Sequence, residues 1–328
     1  MIITRAPFRI PLGGGGTDLP FYAEKKGGML ITAALNRYIY VSVHRRQLDR
    51  LFWLAYSERE TKKKLNDVEH HLIREALRLT KTKPGIEIHS MTELSERAGL
   101  GGSSTFLVAL LQALYAYRGE NVSKNKLAED AVHIERAVLQ DHGGIQDQYV
   151  AAHGGICLIE NTSLTEVKVH ALPVKQETLN RLSKNLLLFY TGVQRLSSSI
   201  VKSQTEENTP EAIVRFYDRI KEIGIAAKKH LLSGEVDRFG ETFHKHWILK
   251  RKFTKKMSTD AFDELYTVAL QKGALGGKIV GAGGGGFFLF YVPDNHKAFS
   301  EEMKRRGLIQ VEVGFDFGGT ETILNKEI

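Results

Sequence analysis

Three glycine-rich stretches and three acids carry the residue types and spacing for chemistry in this chain. The first stretch, RAPFRIPLGGGGTD (residues 5–18), ends on Asp18. The second, GLGGSST (99–105), runs into the apolar segment Phe106–Tyr117. A glycine loop followed by Ser at a helix start leaves N–H groups free and adds the helix dipole, which together suit a phosphate. Ser103 or Ser104 could instead simply cap the helix, and one hydroxyl could face a metal. The loop lacks the lysine of G-x-x-x-x-G-K-[ST], so it is not a Walker A loop. The third, GAGGGG (281–286), spells G-x-G-x-x-G, but FFLFYV follows it. That run is β-prone, whereas a dinucleotide fingerprint opens a helix, so strand, turn, strand is expected there. Phosphoryl transfer needs seated phosphates, a divalent cation and a group that orients or deprotonates the acceptor. The acids available are Glu135, which flanks the apolar stripe Leu127, Ala131, Ile134 and Val138, and Asp147 in GGIQDQYVAAHGG. Glu135 reads either as a salt-bridge partner or as a Mg²⁺ ligand. Asp147 reads either as a turn residue or as a catalytic base.

Positioning these residues falls to a mixed set of elements. Strands are expected at Ile2–Ile10, Met29–Asn36, Tyr38–His44, Leu51–Tyr56 and Gly85–Ser90, from their β-branched and aromatic content. Helices are expected at Asp67–Leu79, Ser104–Tyr117 and Lys124–Gln140, and Asp147 is placed between glycines and a strand. A strand pair, Gly154–Glu160 and Thr165–His170, precedes a polar segment at Pro173–Arg181 that marks a boundary. Beyond it come a strand at Asn185–Thr191 and a helix-rich region to about Lys272. Strands at Lys278–Val280 and Phe287–Val292, a helix at His296–Arg306 and a strand at Leu308–Phe315 finish the chain. Without a regular βαβ rhythm the fold class is α+β. Two domains are expected, 1–175 and 176–328.

The 328 residues carry 46 Lys and Arg against 38 Asp and Glu, a net charge of +8. That balance suits anionic partners. No nucleic-acid motif accompanies it, and the local basic run at 245–256 (KHWILKRKFTKK) reads as a solvated helix face. The one cysteine, Cys157, excludes an intramolecular disulfide framework and points to a reducing, cytoplasmic setting. The charge-free stretch 98–117 is interrupted by glycines, serines and Gln112, so a buried helix is expected rather than a membrane span. Neither a membrane nor a nucleic acid is an expected partner, and the oligomeric state is left open, a homodimer included.

The three motifs, in this order and with GGIQDQ between the second and third, resemble those of the GHMP kinase superfamily across essentially the whole chain. Within it, GGGGTDLP and TGVQRLSSSIVKSQ are most similar to the D-glycero-D-manno-heptose 7-phosphate kinases. The resemblance implies an N-terminal mixed α/β domain holding the phosphate loop and a C-terminal ferredoxin-like α+β domain. It implies ATP and Mg²⁺, and a sugar-phosphate acceptor phosphorylated at its anomeric hydroxyl; a free sugar such as galactose or fucose, or a non-catalytic binding role, is the alternative. By resemblance, Gly99, Leu100, Gly101, Gly102, Ser103 and Ser104 wrap the ATP phosphates. Ser103, with Ser104 in reserve, and Glu135 hold Mg²⁺. Asp147 takes the acceptor proton and Arg9 sits beside it, offsetting developing charge. Asp18 holds sugar hydroxyls, with Gly15, Gly16 and Thr17 around it, and Gly283 and Gly284 lie bare beside the substrate. Arg195 and Lys202 are the candidates for an acceptor phosphate. Two positions depart from the family pattern: Ser95 stands where Pro is usual, and Gly102 where many members have Ser. The catalytic lysine of some relatives has no match.

Overall fold

The computed structural model describes residues 1–94, 99–194 and 207–326. The chain opens with β1 (Ile2–Gly13), α1 (Pro20–Lys26) and β2 (Gly28–Arg45). β3 (Phe52–Ala55), β4 (Arg59–Lys62), α2 (His71–Leu79) and β5 (Ile86–Thr92) follow. The two strands expected over 29–44 are one continuous strand, β2. Its first half pairs with β6 and its second half with β5, while β1 lies along its other edge. The β1–β2 register slips between Pro7 and Arg9, where Pro7 has no N–H to give the ladder. Such slips re-aim side chains, and here the re-aimed residue is Arg9.

Helix α3 (Gly102–Tyr117) packs on β1 and β2. It is apolar on nearly every side, and residues 104–111 are all buried, as befits a helix in the middle of a core rather than at a surface. α4 (Lys124–Val132) continues into a π turn, His133–Val138, and α5 (Gln146–His153) follows. α5 replaces the turn expected around Asp147. Its sequence carries the signal, since an acid in the first turn and apolar residues behind it suit a helix start.

β6 (Ile156–Asn161) and β7 (Val167–Ala171) complete this part of the first sheet, whose order is β12-β1-β2-β5-β3-β4, with β6 on β2 and β7 on β6. The polar stretch read as a boundary is α6 (Gln176–Asn185), which leads into β8 (Leu186–Tyr190). The helical region comprises α7 (Pro210–Ser233), α8 (Val236–Arg251) and α9 (Asp260–Gln271). Then come β9 (Gly276–Ile279), β10 (Phe287–Tyr291), α10 (His296–Arg305) and β11 (Ile309–Val311). Strands β8–β11 form a second, antiparallel sheet of order β11-β8-β10-β9. Fourth, first, third, second is the ferredoxin-like arrangement. β12 (Glu321–Asn325) crosses back to pair with β1, so the first sheet holds both ends of the chain. Among the described residues no helix is long and apolar enough to cross a membrane.

Candidate active site

A cavity of about 970 Å³ opens where the start of α3, the end of β1, the start of α5 and the glycine turn before β10 converge. Arg9, Asp18, Ser104, Glu135 and Asp147 all line it, from positions 138 residues apart at the extremes (Arg9 to Asp147).

Arg9 is the hinge of this arrangement. Its Nε donates to Asp147 Oδ1 at 2.6 Å and its Nη2 to Asp147 Oδ2 at 2.8 Å. Its Nη1 donates to the Gly99 carbonyl at 2.7 Å, and its backbone N–H to the Leu100 carbonyl at 3.2 Å. One buried guanidinium thus ties the glycine loop to the acid. Gly101 shows why the loop is bare: its φ is +81°, and a Cβ there would stand 2.9 Å from Asp147 Oδ2. A side chain at this position would push into the carboxylate.

Glu135 projects from the π turn and is 2% exposed. Local π geometry shifts the helix face, and such turns gather at functional sites. Ser104 Oγ donates to Glu135 Oε2 at 2.8 Å, Gln148 Nε2 donates to the same oxygen, and also to Ser104 Oγ at 3.1 Å. Burial pushes the Glu135 carboxyl above its ordinary range; the nearby Arg136 charge and the two hydrogen bonds pull the other way. Arg136 does not contact the carboxylate, since its guanidinium donates to the Gly144 and Asp141 carbonyls. Ser104, not Ser103, therefore faces Glu135; Ser103 is exposed at the cavity wall, so the register favours the reserve residue.

A buried carboxylate held only by neutral donors fits a cation. Among the described residues no three His, Cys, Asp or Glu side chains cluster as a ready metal cage. Glu135 and the Ser104 hydroxyl are the oxygen groups that could contribute to holding a hard cation there, and Mg²⁺ is usually held by one or two carboxylates together with substrate phosphates. Gln148 was absent from the sequence reading. Its position one after Asp147, at the head of the apolar run Tyr149–Ala152, was the available signal.

Asp18 is fully buried. Its Oδ2 accepts from the N–H groups of Ile145 at 2.8 Å and Gln146 at 3.1 Å, at the start of α5. Its Oδ1 is buried without a partner. Burial raises its pKa, the Gln146 N–H opposes this, and the charge of Asp147 adds to it. Asp18 and Asp147 thus meet at one helix start, and one oxygen of Asp18 has no protein partner. Gly15 and Gly16 line the cavity beside it. Thr17 does not. Its Oγ1 donates to the Gly14 and Met29 carbonyls, each at 2.8 Å, and accepts from the Met29 N–H at 3.0 Å, so it locks the loop onto β2.

The third glycine stretch is a turn between β9 and β10, and its first residue reaches the site. Gly281 packs against Gly99, and Gly281 and Ala282 line the cavity. Gly283 and Gly284 do not line the cavity and lie against Met257, with the Gly284 N–H donating to the Met257 carbonyl at 3.0 Å. Leu100 is a core residue at 2% exposure, while its carbonyl holds Arg9. Arg195 and Lys202 lie outside the described residues.

The run at 245–256 is not simply a solvated face. Lys245 is exposed, but Lys250 and the buried His246 line the cavity, joined by the buried Lys278 from β9. The signal was periodic: Phe239, Phe243, His246, Trp247 and Lys250 recur at helical spacing on the inward stripe of α8. Tyr56 also lines the cavity, at its far end near His70 and Phe106.

Residues 69–155 match the family of GHMP kinases, N terminal domain. The chain is 28% identical to a D-glycero-alpha-D-manno-heptose 7-phosphate kinase of Campylobacter jejuni, over 90% of this chain and 91% of that protein. Among solved structures it resembles a D-glycero-D-manno-heptose 1-phosphate kinase from Bacteroides thetaiotaomicron. The TM-score is 0.81 at 24% identity, with 100% of both chains covered. A Lactococcus lactis galactokinase complexed with galactose gives a TM-score of 0.77 at 16% identity, covering 98% of this chain and 95% of that one.

Proposed function

We propose that this chain, which carries a GHMP kinase N-terminal domain within the fold of those kinases, is an ATP-dependent sugar-phosphate kinase. Its acceptor is the anomeric hydroxyl of a sugar phosphate, and D-glycero-D-manno-heptose 7-phosphate, giving the 1,7-bisphosphate, is the specific candidate. The heptose 7-phosphate kinase of Campylobacter jejuni, similar along nearly its whole length, supports that choice. The observation that carries the reading is the Arg9–Asp147 pair set against the glycine loop, with Glu135 and Asp18 in the same cavity.

The N–H groups at the start of α3 and the positive end of its dipole seat the phosphates of the nucleotide. Asp147 orients the acceptor hydroxyl and takes its proton; Arg9 occupies one lone pair on each carboxylate oxygen and leaves the others for this task. The Arg9 guanidinium offsets the charge that builds on the phosphoryl group in transit. Asp18 Oδ1, without a protein partner, accepts from a sugar hydroxyl and fixes the ring. Glu135 and Ser104 would hold Mg²⁺, which supplies neutralisation of phosphate charge when bound.

The test is phosphoryl transfer from Mg-ATP to a panel of heptose 7-phosphate, mannose, galactose and fucose, with Asp147→Asn as control. Turnover of the heptose phosphate alone, lost in the variant, is the expected result. Turnover of a free sugar would retain the kinase and replace the acceptor. Nucleotide binding without turnover of any acceptor would favour a binding role on this fold.

A further inference from the structure

The mechanism leaves three basic groups of the cavity unused. Lys278 is 2% exposed, and its ammonium has only a long hydrogen bond to the Leu12 carbonyl, 3.5 Å, and the face of Phe243, 4.4 Å from the ring centre. Lys250 donates to the Gly281 carbonyl at 2.6 Å, in the turn that packs against Gly99. His246 is 5% exposed, lines the same cavity, and its Nδ1 is buried with no partner. Among the described residues no carboxylate pairs with either lysine. Asp147, which lines the same cavity, is held by Arg9 on both oxygens.

Buried cations without a counter-ion are costly, and a fold keeps them where an anion completes them. Burial and mutual repulsion already press on both lysines: Lys250 is lowered to about 8 by burial and by Arg9, and Lys278 is lowered well below its ordinary value by burial, Lys250 and Arg9. An arriving dianion would relieve that repulsion.

We propose that Lys250, Lys278 and His246 form a second anion site in this cavity, built from side chains rather than from the N–H groups of the glycine loop, that takes a phosphoryl group. The two ammonium groups supply charge, and the Nδ1–H tautomer of His246 supplies a neutral donor to the same oxygens. Naming the anion as phosphoryl rests on the kinase reading. Two sources share this chemistry: the phosphate already on the acceptor, and the terminal phosphate of the nucleotide as it is transferred. On the first, this cluster does the task assigned from sequence to Arg195 and Lys202.

The experiment is calorimetric titration of the full chain with sulfate, a tetrahedral dianion whose own charge is constant across neutral pH. The wild type is compared with Lys250→Met, Lys278→Met, Lys250→Arg and the exposed-site control Lys245→Met. Loss of a hydrogen-bonded charge should weaken one sulfate site by about tenfold or more in each cavity Lys→Met variant. Lys250→Arg should retain it, and Lys245→Met should leave it unchanged. Thermal unfolding of the same proteins checks folding, and Lys→Met at a buried unpaired cation is expected to keep or raise Tm. Equal sulfate affinity and stoichiometry in wild type and both cavity Met variants would overturn the proposal. Repeating the titration with saturating Mg–AMP-PNP separates the sources. A lysine-dependent site that persists belongs to the acceptor's phosphate; one that vanishes belongs to the nucleotide's terminal phosphate. Sulfate binding needs no turnover, so an inactive kinase panel with an intact lysine-dependent site would count against the kinase reading alone and leave the anion site standing.

Discussion

Arg9 holds Asp147 by both carboxylate oxygens, at 2.6 and 2.8 Å, while its third nitrogen holds the Gly99 carbonyl of the glycine loop. The acid and the loop are therefore set relative to each other by one side chain. Asp147→Asn keeps the shape and removes the base, and kcat should fall by roughly 10²–10⁴-fold with little change in KM for ATP. Arg9→Lys keeps the charge but cannot make the fork. It should lower kcat by at least about tenfold, and steady-state kinetics with both substrates would show it. An Asp147→Asn variant with wild-type kcat would remove the residue from the mechanism.

Glu135 and Ser104 touch; Ser103 does not reach either. Ser104→Ala should therefore raise the Mg²⁺ concentration needed for half-maximal activity several-fold, and Ser103→Ala much less. A magnesium titration of both variants decides between them, and the opposite order would return the metal role to Ser103.

Glu135 is ionised at a cost. Its folded pKa is raised, so the folded state binds more protons than the unfolded state just above the ordinary glutamate value of 4.5. Stability therefore falls as pH rises from 4.5 through the raised folded value. Glu135→Gln removes that fall, and its Tm at pH 7 should equal or exceed the wild type's while Mg²⁺-dependent activity drops by about 10²-fold or more. Thermal melts from pH 4 to 8 read the first effect, and a variant less stable at every pH would contradict it.

Lys250 has the opposite sign. Its folded pKa of about 8 lies below the unfolded 10.5, so between these values the unfolded chain binds more protons and this residue makes stability rise with pH. The groups facing it are Arg9, Lys278 and His246, all basic, so none cancels the effect. Lys250→Met should be more stable than wild type at pH 7, by up to about 3 kcal/mol, with the gap closing toward pH 10.5. Denaturant midpoints at pH 7 and 10 measure it, and a gap that does not change with pH would count against the shift.

Gly99 has φ of +82°, and a Cβ on it would stand 2.7 Å from the Val280 carbonyl. Gly99→Ala should cost about 1–3 kcal/mol of stability and loosen the loop against the turn at Gly281. A Tm equal to wild type would mean that the two loops do not pack as described.

Several features were legible in the residue order because their causes are local. The apolar, charge-free stretch before Tyr117 makes a buried helix wherever it lies, and FFLFYV after GAGGGG makes a strand, which is why a dinucleotide fold was excluded. The irregular mix of strands and helices carried the fold class, the helix stripe and GGIQDQ brought Glu135 and Asp147 forward, and the order of the three glycine motifs carried the family resemblance that added a role for Arg9 and Asp18. α5 was hidden because its octet is short and sits among glycines, where turn signals dominate. β12 was hidden because a five-residue strand is stabilised by its partner β1, over 300 residues away, and not by its own pattern.

What tertiary structure alone decided is which atom of each candidate faces which. Thr17 and Asp18 are neighbours in one motif, yet packing on β2 consumes the threonine while the start of α5 leaves the aspartate one free oxygen. Lys245 and Lys250 belong to one basic run, yet the docking of α8 on β9 sends one to solvent and the other into the cavity. By itself the sequence determined most of the elements, the glycine loop and the acids available, since propensity, spacing and charge are properties of a few consecutive residues. The partners of those acids and the direction of those cations were settled by contacts between segments far apart in the chain, and such contacts exist only once the core has closed around α3.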